Sequence, residues 1–205
     1  MSIATGMANC INAIAILPEL SFEILSSSTE RIHILSTLAK SQLTLTQLSE
    51  ILGIAKSSTC RHLKKLHMYG WIKPIKDKFM KKTYYIPTAL IYLCYNVENN
   101  KLVISDDNVC VIVPHCKTLL LRFRRKIIKF MNCPDECDRK IECCRELRKL
   151  AKKLDIDSQI EDADSIIEIF RVAALRELTF QLYTPLITIP VERTRLLYKE
   201  ILTAI

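Results

Sequence analysis

The chain contains very little glycine, and this scarcity excludes several common classes of nucleotide-binding site. Only three of its 205 residues are glycine, at Gly6, Gly53 and Gly70. A dinucleotide-binding fingerprint requires the pattern G-x-G-x-x-G, and a P-loop requires G-x-x-x-x-G-K-[ST]. Neither pattern occurs, so neither a Rossmann cofactor site nor P-loop nucleotide hydrolysis is expected.

The chain also lacks a long apolar run and the basic start of a secretory signal. The apolar segment 11–17 is too short to span a bilayer and is followed by Pro18 and Glu19. Its nine cysteines lie in a long chain, whereas secreted disulfide scaffolds are short and loop-rich. We therefore expect a cytoplasmic protein with reduced cysteines and no membrane partner. The isoleucine-rich composition is compatible with an archaeal source, whose cytosol tolerates disulfides.

Common catalytic motifs are missing as well. The sequence contains neither the G-x-S-x-G elbow of serine hydrolases nor the H-E-x-x-H helix of zinc proteases. His115 and Cys116 are the only adjacent histidine–cysteine pair, and adjacent side chains rarely point at each other. The sequence therefore predicts a protein that is not an enzyme.

Positive charge is concentrated in one short part of the chain. The 30 lysines and arginines exceed the 22 aspartates and glutamates, which gives a net charge of +8. Nine of these bases and a single acid, Asp77, lie between residues 54 and 86, so the rest of the chain is neutral. A charged run is usually a solvated face, but an excess confined to one segment favours an anionic partner.

The same region carries the signals of three consecutive helices. Apolar residues recur at helical spacing over 28–39, which predicts the first helix. The segment Thr44-Leu45-Thr46-Gln47 is a capping box, which predicts the start of a second, short helix. That helix is expected to end at Gly53, since glycine readily adopts the left-handed conformation found there. The third helix is predicted over 56–68, before Gly70.

Two strands are predicted after these helices, over 71–75 and 82–86, around a lysine-rich turn. Two helices joined by a short glycine-containing turn form a helix-turn-helix unit, to which the two strands would add a wing. Its third helix and wing carry side chains that donate hydrogen bonds to phosphates and base edges. The predicted DNA-binding residues are Lys56, Ser57, Ser58, Arg61, His62, Lys64, Lys65, Lys76, Lys78, Lys81 and Lys82.

The segment 26–86 resembles a winged helix-turn-helix of the ArsR type. The family pattern has an Arg-x-x-Ile-Leu helix, here 31–35, and a recognition helix with Arg-His-Leu, here within 58–63. A Gly-aromatic pair then begins the wing at 70–71, and a Tyr-Tyr pair ends it at 84–85. The resemblance implies a dimeric, DNA-binding transcription regulator.

Three positions of this segment bear on that resemblance. The arsenite sensors of the family carry cysteines in the helix that here reads Leu45-Thr46-Gln47-Leu48, so their metal site is absent. Cys60 stands where the family commonly has serine, and is either a small helix residue or a redox switch. The resemblance implies that His62 lies near the DNA backbone; the alternative is a half-buried helix residue.

Further secondary structure is predicted directly after the wing. A helix over 88–95 is expected to close the winged domain, and 101–114 reads as a hairpin around Asp106-Asp107-Asn108. A helix is predicted over 116–131 with a basic stripe, which is either a solvated face or a second DNA-contacting surface. The stripe consists of Arg122, Arg125, Lys126 and Lys129.

The last part of the chain is predicted to be helical. A capping box at 158–161 opens a helix to about residue 183, and Pro190 opens a final helix. Both predicted helices carry apolar residues along one face. Such helices after a winged domain favour a two-fold dimer interface, and the alternative is that these faces are buried in a core within one chain.

Four cysteines cluster between the predicted helices, with the spacing C-x3-C-x5-C-C. Pro134 suits the first helical position, which would place Cys133 at the helix start and bring three thiols near one face. This spacing matches neither a zinc ribbon nor a ferredoxin run, and loosely resembles the iron–sulfur segment of other winged-helix regulators. Packing thiols, an iron–sulfur or redox site, a zinc site and disulfides all remain open. The candidate ligands are Cys133, Cys137, Cys143 and Cys144.

Together these observations predict a mainly α protein with a small β component. We expect an N-terminal segment (1–20), a winged helix-turn-helix domain (21–95) and a helical C-terminal dimerisation and sensor region (96–205). The predicted function is sequence-specific binding of double-stranded DNA by a homodimer that regulates transcription. The alternative is a winged-helix module that binds another protein within a transcription assembly.

Overall fold

The computed structural model describes residues 12–77, 79–98, 101–113, 118–130 and 163–183, together with three single positions, Arg145, Lys149 and Lys152. These residues form a three-stranded sheet, a five-stranded sheet and five helices. In chain order the elements are β1 (Asn12–Pro18), α1 (Glu19–Ser26), α2 (Thr29–Leu38), β2 (Leu43–Thr44), α3 (Leu45–Leu52), α4 (Lys56–Met68), β3 (Ile72–Asp77), β4 (Lys82–Pro87), β5 (Ala89–Glu98), β6 (Lys101–Val113), β7 (Thr118–Phe123), β8 (Lys126–Phe130) and α5 (Ala163–Tyr183).

The helix-turn-helix begins and ends where the local sequence signals predict. At the start of α3 the Thr44 hydroxyl accepts a hydrogen bond from the Gln47 amide at 3.3 Å, and the Gln47 side chain accepts one from the Thr44 amide at 2.9 Å. Gly53 ends α3 in the left-handed region with φ 65°. The third predicted helix, α4, covers the predicted residues 56–68. These three predictions are confirmed.

The two predicted strands of the wing are also confirmed, and the sheet contains a third strand that was not predicted. β3 and β4 pair in antiparallel fashion from Ile72 opposite Pro87 to Asp77 opposite Lys82. The short β2 pairs with the other side of β4, so the order of this sheet is β2-β4-β3. Thr44, which caps the start of α3, therefore also pairs with Tyr84 in strand β4 of the wing.

The five-stranded sheet has the order β1-β5-β6-β7-β8. β1 runs parallel to β5, whereas the other neighbours are antiparallel. The helix-turn-helix and the wing therefore form the connection between β1 and β5. Side chains of the central strands alternate between two cores: Cys110 and Ile112 join the core shared with the helix-turn-helix, while Val109, Val111 and Val113 join the core beneath α5.

The helix predicted over 88–95 is wrong, because residues 89–95 lie in strand β5. The hairpin predicted over 101–114 is also wrong, since 101–113 form the single strand β6. Leu93 pairs with Val109 while Tyr95 pairs with Ile104, so the residues between those two partners on β6 bulge opposite Cys94. The polar segment Asp106-Asp107-Asn108, which is typical of a turn, lies in this bulge.

The helix predicted over 116–131 is likewise wrong. Residues 118–123 and 126–130 form the antiparallel strands β7 and β8. The chain reverses between them at Arg124 and Arg125, which have φ values of 48° and 64°. Two consecutive residues with positive φ are typical of a tight hairpin turn, normally marked by Asn-Gly or Gly-Gly. Because arginine occupies both positions, the sequence does not indicate this turn.

α5 covers the sheet face opposite the helix-turn-helix. Its buried residues Ala163, Ile167 and Ala174 pack with Leu93, Val109 and other residues of the central strands. The predicted apolar face of this helix is confirmed, and it is used within the chain. The residues before 163 in the predicted helix, and the predicted helix that begins at Pro190, lie outside the described residues.

Trp71 joins the wing, the helices and the large sheet. The residue is fully buried, and its indole Nε1 donates a hydrogen bond to the Ser21 carbonyl of α1 at 3.0 Å. Its ring packs edge-on against Phe22, with ring centroids 5.0 Å apart. The Tyr92 hydroxyl of β5 donates to the Trp71 carbonyl at 2.8 Å. The helix-turn-helix and the sheet consequently share one continuous core.

Candidate nucleic-acid interface

The outer side of α4 presents a row of hydrogen-bond donors. Thr59, Leu63 and Leu66 are buried, as the helical spacing predicts, and fix which side of the helix faces the core. The opposite side contains no acidic residue, because α4 has none. The exposed predicted residues are Lys56, Ser57, Arg61, Lys64 and Lys65, while Ser58 is half-buried.

His62 differs from the other predicted contact residues. It is half-buried, and its Nδ1 atom is buried without a hydrogen-bond partner. Burial lowers the pKa of the imidazole, and the positive charge of Arg31 on α2 lowers it further. Since the ordinary histidine pKa already lies below 7, the ring is neutral at neutral pH. His62 thus offers a neutral ring near α2 instead of a cation on the outer face.

Arg31, the first residue of the Arg-x-x-Ile-Leu pattern, fastens α1 to α2. Its side chain is buried, with Nε donating to the Ile24 carbonyl at 2.5 Å and Nη2 donating to the Ser27 hydroxyl at 2.6 Å. These contacts satisfy carbonyl and hydroxyl groups at the end of α1. Arg31 is therefore a structural residue of the helix-turn-helix.

The turn of the wing is held by one carboxylate. Asp77 Oδ1 accepts hydrogen bonds from the backbone amides of Phe79 at 2.8 Å and Met80 at 3.0 Å. Lys81 follows in the left-handed region with φ 50°. The three described lysines of the wing, Lys76, Lys81 and Lys82, are exposed, and Lys78 lies outside the described residues.

Two features of this surface have no counterpart in the sequence prediction. Phe79 and Met80 at the turn of the wing are 99% and 57% exposed. An open cleft of about 520 Å³ lies between the start of α3 and β4, lined by Thr44, Thr46, Gln47, Lys82 and Tyr84 among others. The capping box predicts where α3 starts, but no local signal indicates that β4 lies opposite it.

The basic stripe predicted for 116–131 does not form one surface. Arg122 is largely buried and pairs with Asp164 at 2.7 Å and Glu168 at 3.1 Å on α5. Arg125 pairs with Asp107 of β6, with Nε 3.4 Å from Oδ1, so these two arginines pair with carboxylates of different elements. Because the segment consists of two strands, Arg125, Lys126 and Lys129 also do not share a helix face.

The described cysteines are thiols without disulfide partners. Cys60 is half-buried in α4, and Cys94 and Cys110 are buried in the sheet. Burial raises the pKa of Cys94 to about 11 and raises that of Cys110 as well, which disfavours the reactive thiolate. Within the described segments no three metal-ligating side chains lie together. The predicted cluster of Cys133, Cys137, Cys143 and Cys144 lies outside them.

Comparisons with known proteins address the helical part of this surface. Among the described helices, none is long and apolar enough to cross a membrane. No curated protein matches the chain. Residues 28–73, which cover α2, α3, α4 and the start of the wing, match the model of the family described as bacterial regulatory protein, arsR family. This stretch is therefore similar to an ArsR-family helix-turn-helix, and the similarity supports a DNA-binding transcription regulator.

Proposed function

We propose that this protein is a sequence-specific transcription regulator that inserts α4 into the major groove of its operator. One observation carries the proposal: the outer side of α4 exposes four cationic side chains and a serine, and the helix itself contains no acidic residue. The major groove of B-DNA admits an α-helix and presents a distinct donor and acceptor pattern for each base pair. An all-donor helix face complements the acceptors of guanine and of the phosphates.

The residues of α4 divide between the two kinds of contact. Arg61 offers the planar fork that bonds guanine O6 and N7 together. Lys56 and Ser57 belong to the first turn, and the N-terminal residues of a recognition helix usually contact base edges. Lys64 and Lys65 lie further along and suit phosphates on either side of the groove. Half-buried Ser58 and His62 contribute at the edge of this face.

The wing and the cleft hold the phosphate backbone beside the groove. Exposed Lys76, Lys81 and Lys82, together with Lys78 from the sequence, supply the positive charge. The cleft adds Thr46, and it lies at the start of α3, where the helix dipole favours an anion. The proximity of Lys82 to that helix start supports one phosphate position shared by wing and helix.

We further propose a cytoplasmic homodimer that reads two half-sites. One α4 and one wing cover a single half-site, and two copies would reach half-sites about 34 Å apart, one helical turn. The buried face of α5 packs on its own sheet, so the two-fold contact uses another surface.

The cysteines at 133–144 stay predicted ligands of zinc or an iron–sulfur cluster. Metal analysis and the visible spectrum of anaerobically purified protein test that prediction.

Salt dependence of binding tests the main proposal. Duplexes selected by the chain from a random-sequence pool are titrated at increasing salt concentration. Each phosphate neutralised by the basic surface adds about 0.9 to the slope of log affinity against log salt, so a steep decline is expected. The matched control replaces Lys65 and Lys81 by alanine, which reduces the slope without unfolding the chain. An affinity that barely changes with salt, or a selected pool with no shared sequence, would contradict the proposal.

A further inference from the structure

The wing combines an apolar tip with basic flanks. Phe79 is 99% exposed and Met80 57% exposed, although large apolar side chains are normally covered. Lys81 and Lys82 follow directly, and Lys76 lies on the neighbouring strand, all three exposed. The apolar pair, residues 79–80, is called the wing tip below.

The turn holds the wing tip outward. Asp77 Oδ1 accepts hydrogen bonds from the amides of both tip residues, and Lys81 adopts φ 50°, which closes the turn directly behind them. Two antiparallel strands pair up to Asp77 and Lys82 and support the turn from below. A tip organised in this way loses little conformational freedom when it enters a narrow site.

From this arrangement we infer that the wing tip is a wedge that inserts Phe79, backed by Met80, between base pairs from the minor groove. The inference rests on the proposed function and deepens it by assigning the wing a second contact besides phosphates. Proteins that bind the minor groove insert Phe, Leu, Ile, Met or Pro between base steps and kink the duplex by about 20–90°. The lysines on both sides of the tip would contact the two phosphate strands that border this groove.

The basic flanks favour DNA over an apolar protein partner. Lysine is depleted at protein–protein interfaces, whereas it is common where phosphates are contacted. The wing also follows α4 directly in the chain, after only three connecting residues, so its tip projects beside the proposed recognition helix. A wedge here would give the protein a preference for flexible pyrimidine–purine steps at the flank of each half-site.

Three variants separate the wedge from the phosphate contacts. Phe79→Ala removes the wedge, Phe79→Trp retains a large ring, and Lys81→Ala removes one charge but leaves the ring. The probe is a duplex selected from a random-sequence pool by the wild-type chain, labelled at both ends to measure its bend by energy transfer. Because Phe79 and Lys81 are both exposed, all three variants should keep the wild-type urea midpoint.

We expect Phe79→Ala to bind about tenfold more weakly, to lose most of the bend and to keep the salt slope. Phe79→Trp should keep the bend, and Lys81→Ala should keep the bend while its slope falls by about 0.9. An unchanged bend and affinity in Phe79→Ala, with wild-type binding intact, overturns the wedge but leaves the proposed function standing. If wild-type protein selects no duplex at all, the proposed function itself fails.

Two other outcomes also overturn the inference. Binding of the wild-type chain to vesicles of phosphatidylserine and phosphatidylcholine that is lost in Phe79→Ala, with the DNA bend unchanged, would make the tip a membrane contact. A change of oligomeric state in Phe79→Ala, measured by sedimentation, would make it a contact between copies of the chain.

Discussion

Arg61 differs from its lysine neighbours on α4 in the geometry of its charge. Its guanidinium carries donors in a fixed plane and stays protonated, whereas a lysine ammonium is a flexible point charge. The planar group bonds the two acceptors of one guanine in a fixed geometry, whereas an ammonium that contacts them is less restricted in direction. At the scale of single residues, base preference should therefore depend on Arg61 and overall affinity on the lysines.

Replacement of Arg61 by lysine tests this division. The variant keeps the positive charge, so the salt slope should stay close to that of the wild type, while discrimination against a changed base pair should fall by about 1–3 kcal/mol. Competition binding with duplexes altered at single positions measures both quantities. Lys81→Ala is the control, because it should weaken all duplexes about equally. Equal discrimination in Arg61→Lys and wild type would remove Arg61 from base readout.

Gly53 precedes α4 and Gly70 follows it, and the two glycines have different surroundings because they connect different elements. Gly53 and Gly70 both have positive φ, at 65° and 83°. A Cβ at Gly53 would meet nothing within 4 Å, but one at Gly70 would lie 2.8 Å from Leu17 Cδ2 on β1. Gly70 thus allows β1 to approach the start of the wing, in addition to adopting an unusual backbone conformation.

Alanine at these two positions should separate backbone strain from crowding. Gly53→Ala should lower the free energy of unfolding by about 1–2 kcal/mol through backbone strain alone. Gly70→Ala should lower it by a further ~1–3 kcal/mol, because Leu17 is buried and cannot move freely. Urea unfolding measures both. In a Leu17→Ala background the added cost of Gly70→Ala should shrink, and a cost that stays the same would rule out the contact with Leu17.

α5 is attached to the sheet by a network of charges as well as by its apolar face. Glu168 accepts hydrogen bonds from Arg171 at 2.6 Å and 3.0 Å and from Arg122 at 3.1 Å. The bonds to Arg171, aided by Arg122, lower the pKa of the Glu168 carboxyl against the opposing effect of burial. Its ionised form therefore stabilises the folded chain more than the unfolded one.

The pH dependence follows from this lowered pKa. The contribution of Glu168 is fully present above the unfolded pKa of about 4.3 and is lost as pH falls through the lower folded-state pKa. Glu168→Gln should thus be less stable at neutral pH, and its difference from the wild type should shrink below about pH 4.3. Urea midpoints across this range measure the effect. Exposed Glu98→Gln is the control, and a constant difference at all pH values would contradict the linkage.

The elements that the sequence predicts well are those with local signals. Thr44 and Gln47 mark the start of α3, Gly53 marks its end, and both signals act within a few residues. The strands β5 and β7 are not predicted, because each contains consecutive apolar residues that are buried and shows no alternation of polar and apolar residues. The turn at Arg124 and Arg125 lacks the glycine that usually marks positive φ. The cleft at β4 and the sheet order depend on contacts distant in sequence.

At the scale of the whole molecule, the helix-turn-helix is not separate from the large sheet. The predicted boundary between residues 95 and 96 falls within β5, and β1 precedes the helix-turn-helix while β5 follows it. Leu35 of α2, Trp71 and Leu119 of β7 belong to the same buried core. The division into domains 21–95 and 96–205 stays a prediction, and the shared core is an argument against their independent unfolding.

Unfolding followed at two positions tests this argument. Trp71 is the only tryptophan in the chain, so its fluorescence reports the junction of α1 and the wing. Cys110 is fully buried in β6, so its alkylation, located by mass spectrometry, reports opening of the sheet. If the shared core makes the described elements one cooperative unit, both probes should give the same urea midpoint. Leu119→Ala should move both midpoints together by a destabilisation of about 2–5 kcal/mol, although it lies in the sheet. Alkylation of Cys110 at urea concentrations where Trp71 remains native would instead establish two units that unfold separately.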